Sequence, residues 1–187
     1  LGCSRLKSIS NLDLTSLDSG EGDTFSQIFD GCESLVAIPT ITFAGNKVPS
    51  SSMRSAFRSV RFATEASFLQ IESWDTSGVT NIGVIFANVY SLTRAPNLNT
   101  DSVLLADSMF SCGTVDSSMI DGPNTAGGNW DLSSCTDCSS FFVRRAAMIS
   151  DKTTSKLHIS STISMLNFHN YNPVNERPYI GPGGIES

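Results

Sequence analysis

Two cysteines three residues apart, Cys135-x-x-Cys138, are the most reactive-looking spacing in this 187-residue chain. A pair at that spacing can hold half of a zinc site or cycle between dithiol and disulfide. The zinc reading needs a second pair of ligands at matching spacing, and the sequence contains none. The redox reading wants the motif next to a strand at the start of a helix, a condition partly met by Trp130-Asp131-Leu132 just before it. A third reading is packing. Cys135 and Cys138 stand five and eight residues after Trp130, as Val79 and Ile82 stand after Trp74. That places them at inward apolar positions, where a free thiol behaves as a small hydrophobe. The expectation is therefore a buried pair, with disulfide and metal kept as alternatives.

The remaining titratable groups form no dyad. His158 and His169, the two histidines, have no spacing to these cysteines that makes a metal site or a nucleophile–base pair. A Cys–His hydrolase stays as a weaker alternative, because its parts can be distant in sequence. Cys3, Cys32 and Cys112 fall at or near one repeated apolar position, and Cys3 and Cys32 are expected on adjacent units as unbridged thiols. The opening Leu1-Gly2-Cys3-Ser4 has the look of a lipid-attachment cysteine, but the repeat explains Cys3 more simply. No phosphate-cradling glycine loop or dinucleotide fingerprint occurs, and no cofactor or metal is expected.

Charge narrows the partners. The net charge is −6, and Arg144-Arg145 is the one basic pair, too little for a nucleic-acid footprint. No apolar run reaches the length of a membrane span. The chain lacks an initiator Met and a signal peptide, so it is expected to be processed or part of something longer.

The elements that must position these residues recur. From Trp74, equivalents fall at Leu12, Ile41, Leu98, Trp130 and Leu157, at intervals of 24 to 33 residues. An aromatic follows twelve residues on in the tidy copies, as Phe86, Phe110 and Phe142, and somewhat later as Phe29 and Phe57. Phe29-x-x-Cys32-x-x-Leu35-x-x-Ile38-Pro39-x-Ile41 then matches Phe86-x-x-Val89-x-x-Leu92-x-x-Ala95-Pro96-x-Leu98. Alternation at each unit start predicts a short strand. Ser77, Asp101 and Ser133 stand where a helix N-cap would, and Val79, Ile82, Phe86 and Val89 lie on one face of a short helix. Gly45 to Pro49 is expected to be an inserted loop.

The 74–92 stretch, W-D-T-S-G-V-T-N-I-G-V-I-F-A-N-V-Y-S-L, resembles the repeat of the BspA-like leucine-rich repeat family, W-D-T-S-x-V-T-x-M-x-x-M-F-x-x-C-x-x-L. The likeness is close over 74–98, good over 29–41 and 98–112, and weak after 148. It implies a solenoid used in bacterial surface proteins and phage structural proteins for adhesion or assembly, without catalysis. Cys135 and Cys138 depart from the pattern by replacing aliphatic residues.

The expected architecture is an α/β repeat solenoid of about six irregular rungs over residues 1–168, each a short strand plus a short helix. Residues 169–187 are expected as an extended Pro- and Gly-rich arm. Strand alternation turns Asn11, Asp13, Thr40, Thr42, Ser73, Asp75, Asn97, Asn99, Asn129 and Asp131 outward as a polar ribbon, with Lys156 and His158 after them. It is either a solvated sheet face or a contact surface for protein or glycan. In the arm, Tyr171, Pro173, Tyr179 and Ile180 are docking candidates, either against the chain's own last rung or against a neighbour. The functional expectation is a non-catalytic structural or binding module, foremost a virion protein such as a tail or capsid appendage. It would mediate assembly or host-surface attachment through other subunits or a cell-surface protein or glycan, without nucleic acid or membrane insertion. A bacterial cell-surface adhesin fragment is the alternative. A start inside a repeat and an arm with docking residues lean towards assembly, and both are also expected of a fragment of a larger adhesin.

Overall fold

The computed structural model describes residues 2–17, 22–92, 95–111, 130–132, 134–141 and 158–159. Regular elements are short. Strand β1 (Leu12–Asp13) pairs in parallel with β2 (Ile41–Thr42), Leu12 opposite Ile41, and β3 (Asp131–Leu132) pairs in parallel with β4 (His158–Ile159). A single-turn helix α1 (Glu65–Phe68) runs into a 3-10 turn at Leu69–Ser73. Single parallel bridges continue the stacking: Lys47 with Asp75, Ser52 with Asn81, Asn81 with Leu105, and Leu105 with Asp137.

Between those bridges the chain is built of turns, not helices. Over Val79–Val89, where apolar spacing predicts a helix, Ile85, Ala87 and Val89 N–H groups donate to the carbonyls of Ile82, Val84 and Phe86. Val84 and Asn88, third residues of the turns 82–85 and 86–89, have φ of 62° and 59°. A positive φ at the third position is what a type II turn requires. Two such turns back to back put Ile82, Ile85, Phe86 and Val89 inward at steps of 3, 1 and 3. A short helix gives the same steps, which is why periodicity alone could not separate them.

The other N–H groups of this stretch point to the next copy. Ile82, Val84, Phe86 and Asn88 donate to the carbonyls of Leu105, Asp107, Met109 and Ser111 at 2.7–3.1 Å. Gly83 N–H is satisfied by Asn81 Oδ1 at 3.0 Å. Every N–H from 82 to 89 thus has a partner, which lets the unit be buried without regular secondary structure. Each copy repeats the scheme. Gln27, Phe29 and Gly31 donate to Arg54, Ala56 and Arg58; Ser55, Phe57 and Ser59 donate to Gly83, Ile85 and Ala87; Ala106, Ser108 and Phe110 donate to Asp137, Ser139 and Phe141. Gln27, Ser55, Val84 and Ser108, each two residues before its phenylalanine, all have positive φ.

The core follows the backbone register. Phe29, Phe57, Phe86 and Phe110 stack in a file, with centroids 6.0, 6.0 and 5.6 Å apart and planes within 13°. Phe142 lies outside the described residues; Phe110 meets Phe141 edge-on at 5.6 Å. Trp74 packs against Phe25, Phe43 and Phe57. The matched apolar positions Phe29, Cys32, Leu35, Ile38 and Ile41, and Phe86, Val89, Leu92, Ala95 and Leu98, are all buried.

The register between the second and third copies differs from the expected one. Trp74 was expected to stack on Ile41. The segment beside it is Asn46–Val48: Asp75 N–H donates to Asn46 O at 2.8 Å, and Val48 N–H to Asp75 O at 3.0 Å. The Gly45–Pro49 stretch is therefore a paired segment of the stack. Ile41 lies instead beside the 3-10 turn, its N–H donating to Gln70 Oε1 at 3.3 Å.

Candidate functional site

Asn11, Asp13, Thr40, Thr42, Ser73, Asp75 and Asn99 are exposed and Asn97 is half-buried. Asn129 lies outside the described residues, as do Lys156 and the arm residues Tyr171, Pro173, Tyr179 and Ile180. Asp131 is placed through its backbone, opposite His158.

The ribbon is two short groups. Asp13 and Thr42 are direct neighbours across β1 and β2. Beyond them Lys47, not Thr42, is the neighbour of Asp75. The acidic character predicted for a continuous ribbon is locally offset at that step. Asp75 is then followed by Asn99, whose carbonyl accepts from Thr76 Oγ1 at 2.9 Å. Asn97 N–H donates to Glu72 Oε1 at 2.7 Å.

Three of these side chains hold their own backbone. Asp13 Oδ1 accepts from Thr15 N–H and Oγ1–H at 2.9 and 2.7 Å, Asp75 Oδ1 from Ser77 N–H at 3.0 Å, and Asn99 Oδ1 from Asp101 N–H at 3.1 Å. These are Asx turns. They move the capping role from Ser77 and Asp101 to the residues two positions earlier. Ser133 lies outside the described residues. The Thr15 N–H and hydroxyl hold the Asp13 carboxyl below its ordinary value. The Ser77 hydroxyl and N–H, with Lys47 adding a smaller attraction, do the same for Asp75. A carboxylate is favoured in each case because both donors stabilise the charged form.

A second polar file, three residues before each phenylalanine, was not anticipated. It runs Ser26, Arg54, Gly83, Asp107 and Ser139. Arg54 forms a bidentate pair with Asp107, Nη2 to Oδ2 at 3.1 Å, passing over Gly83. Arg58 makes a second bidentate pair with Asp30, at 2.7 and 2.6 Å. Each guanidinium is held further above its ordinary value, first by the hydrogen bonds to its carboxylate. No sequence signal linked Arg54 to a residue two copies away.

The thiols sit inside. Cys32, Cys135 and Cys138 are buried and Cys3 is exposed; all four are free, and Cys112 lies outside the described residues. Cys135 and Cys138 occupy the inward positions expected for them, with Sγ atoms 3.4 Å apart. Burial pushes the Cys32 thiol up. Among the described residues no group of three His, Cys, Asp or Glu could hold a metal ion. No helix among them is long and apolar enough to cross a membrane.

No curated protein and no solved structure matches the chain. Residues 51–177 match the protein-family model described as "Mycoplasma protein of unknown function, DUF285". That span holds the Phe57–Phe86–Phe110 file, the Arg54–Asp107 pair and the buried Cys135 and Cys138, and it covers more than half of the sequence. The chain belongs to the DUF285 family.

Proposed function

We propose that this chain is a non-catalytic repeat module of the BspA-like leucine-rich kind, a solenoid whose rungs carry a binding or structural surface. The observation that supports it best is how the polar and special-conformation residues are used. Asp13, Asp75, Asn99 and Asn81 fold back on their own turns, and the buried cysteines line the core. In a repeat stack each copy meets its neighbours, and recognition is left to the outward edge. That edge carries Asp13 with Thr42, and Lys47 with Asp75 and Asn99. Its mixed charge and amide character suit a protein or glycan partner rather than a polyanion.

Two placements share this chemistry, a virion appendage and a bacterial cell surface. Fractionation separates them: recovery in intact phage particles supports the virion placement, and recovery with the cell envelope supports the surface. Replacing Asp75, Asn97 and Asn99 with Ala tests the edge. Loss of co-purifying partners without loss of folding is the expected result. Unchanged partner recovery removes the edge from the proposal. Alkylating the thiols without loss of function discounts a Cys–His enzyme.

A further inference from the structure

Two buried thiols in contact, on one turn and with no role in the proposed surface, need a separate account. Cys135 and Cys138 have Sγ atoms 3.4 Å apart, inside a unit whose equivalents carry Val79 and Ile82 or Val103 and Ala106. Aliphatic side chains fill those positions elsewhere, so packing alone does not call for two sulfurs. The S–S bond is about 2.05 Å long, so closure needs an approach of a little over 1 Å.

Hydrogen bonding favours an exchangeable pair. Cys135 Sγ lies 3.3 Å from the carbonyls of Leu104 and Asp137 as well as beside Cys138. Losing the S–H donor on oxidation does not orphan the Leu104 carbonyl, which also accepts from Thr136 N–H at 2.8 Å and Thr136 Oγ1–H at 3.0 Å. The buried polar groups therefore stay satisfied in both redox states.

We propose that Cys135 and Cys138, both buried in the closed fold, are a reversible dithiol–disulfide pair that exchanges with small disulfides of the glutathione class when their turn opens. Cys135 loses its proton to water and its thiolate attacks one sulfur of the small disulfide, giving a mixed disulfide and releasing one small thiolate. Cys138 then gives its proton to solvent, and its sulfur attacks the Cys135 sulfur and expels the second small thiolate. Both small thiolates are protonated in water. The protein loses two hydrogens and two electrons, and one small disulfide becomes two thiols. Cys135 leads because its contact with Cys138 holds its thiol below the ordinary value, while that same contact and burial hold Cys138 above its own.

The test incubates the folded full chain with oxidised glutathione, then alkylates in denaturant and maps thiols by mass spectrometry. The expected product is a peptide containing an intramolecular Cys135–Cys138 disulfide, with Cys32 recovered as a thiol. Cys138→Ser should stop at a glutathione adduct on Cys135, and Cys135→Ser should slow adduct formation at residue 138 on the order of tenfold. Recovery of both residues as free thiols from the wild-type chain, under conditions that oxidise the unfolded chain, overturns the proposal. So does a glutathione adduct that never closes. The wild-type mapping decides the matter even if either serine variant fails to fold.

Discussion

Arg54 and Asp107 are 53 positions apart, yet their side chains pair across the flank of Gly83. Gly83 occupies their own file in the intervening copy, and a Cβ there would overlap Arg54 Nη1 and Asp107 Oδ1. A residue with no side chain is what lets an ion pair join two units that are not neighbours. The pair is partly exposed, with side chains 39% and 20% accessible, so solvent screening limits its worth.

Gly83→Ala should therefore destabilise the chain by about 0.5–1 kcal/mol, the range of a well-formed surface pair. Asp107→Asn should cost about the same alone and almost nothing further in the Gly83→Ala background. Denaturant unfolding of the four members of this cycle checks it. Additive losses would mean that Gly83 is needed for some other reason.

The phenylalanine file carries a larger share. Phe57 lies between Phe29 and Phe86 at 6.0 Å from each, and is fully buried. Phe57→Ala should cost about 3–5 kcal/mol, combining lost transfer energy with a cavity. The melting transition should fall markedly. A loss below about 1 kcal/mol would show that the file collapses to refill the gap.

Val84 is a β-branched residue at φ 62°, where side chains of that shape are strained. Asn already occupies the matching turn position at Asn88, φ 59°, and tolerates this conformation. Val84→Asn should stabilise by about 0.5–1 kcal/mol, offset in part by the apolar area that half-buried Val84 gives up. A lowered melting temperature would show that its packing outweighs the strain.

Acid lability has a defined sign. The Asp13 and Asp75 carboxyls are held below their ordinary value in the folded chain. Their contribution is present above the unfolded pKa, near 4, and is lost as pH falls through the folded value. Asp75→Asn keeps a side-chain acceptor for Ser77 but removes the titration. Its unfolding curve should depend less on pH below about 4 than the wild type's. Equal acid sensitivity would place the effect on other carboxylates.

How far the sequence could be read follows from these residues. Phe29, Phe86 and Phe110, and the inward cysteines Cys135 and Cys138, were legible because burial repeats with the copy. The helix expected over Val79–Val89 was not distinguishable from paired turns, since both place apolar residues three and four apart. Left-handed Gln27, Ser55 and Val84 carry no compositional signal, unlike the glycine such positions favour. The Ile41-to-Trp74 register failed because Gly45–Pro49 reads as a loop while its backbone pairs with Asp75. Within the candidate edge, the outward residues were legible from strand alternation. Their use as Asx turns depends on backbone geometry two residues ahead, which alternation does not report.

Each unit is held by its neighbour rather than closed on itself. Amide hydrogen exchange at Ile82, Val84, Phe86 and Asn88, measured in the wild type and in Phe110→Ala, tests it most directly. Those amides donate to residues 105–111. Phe110→Ala should accelerate exchange at all four together, while Gly31, which donates to Arg58, is affected less. Unchanged protection at all four, in a variant shown to be destabilised around residue 110, would contradict it.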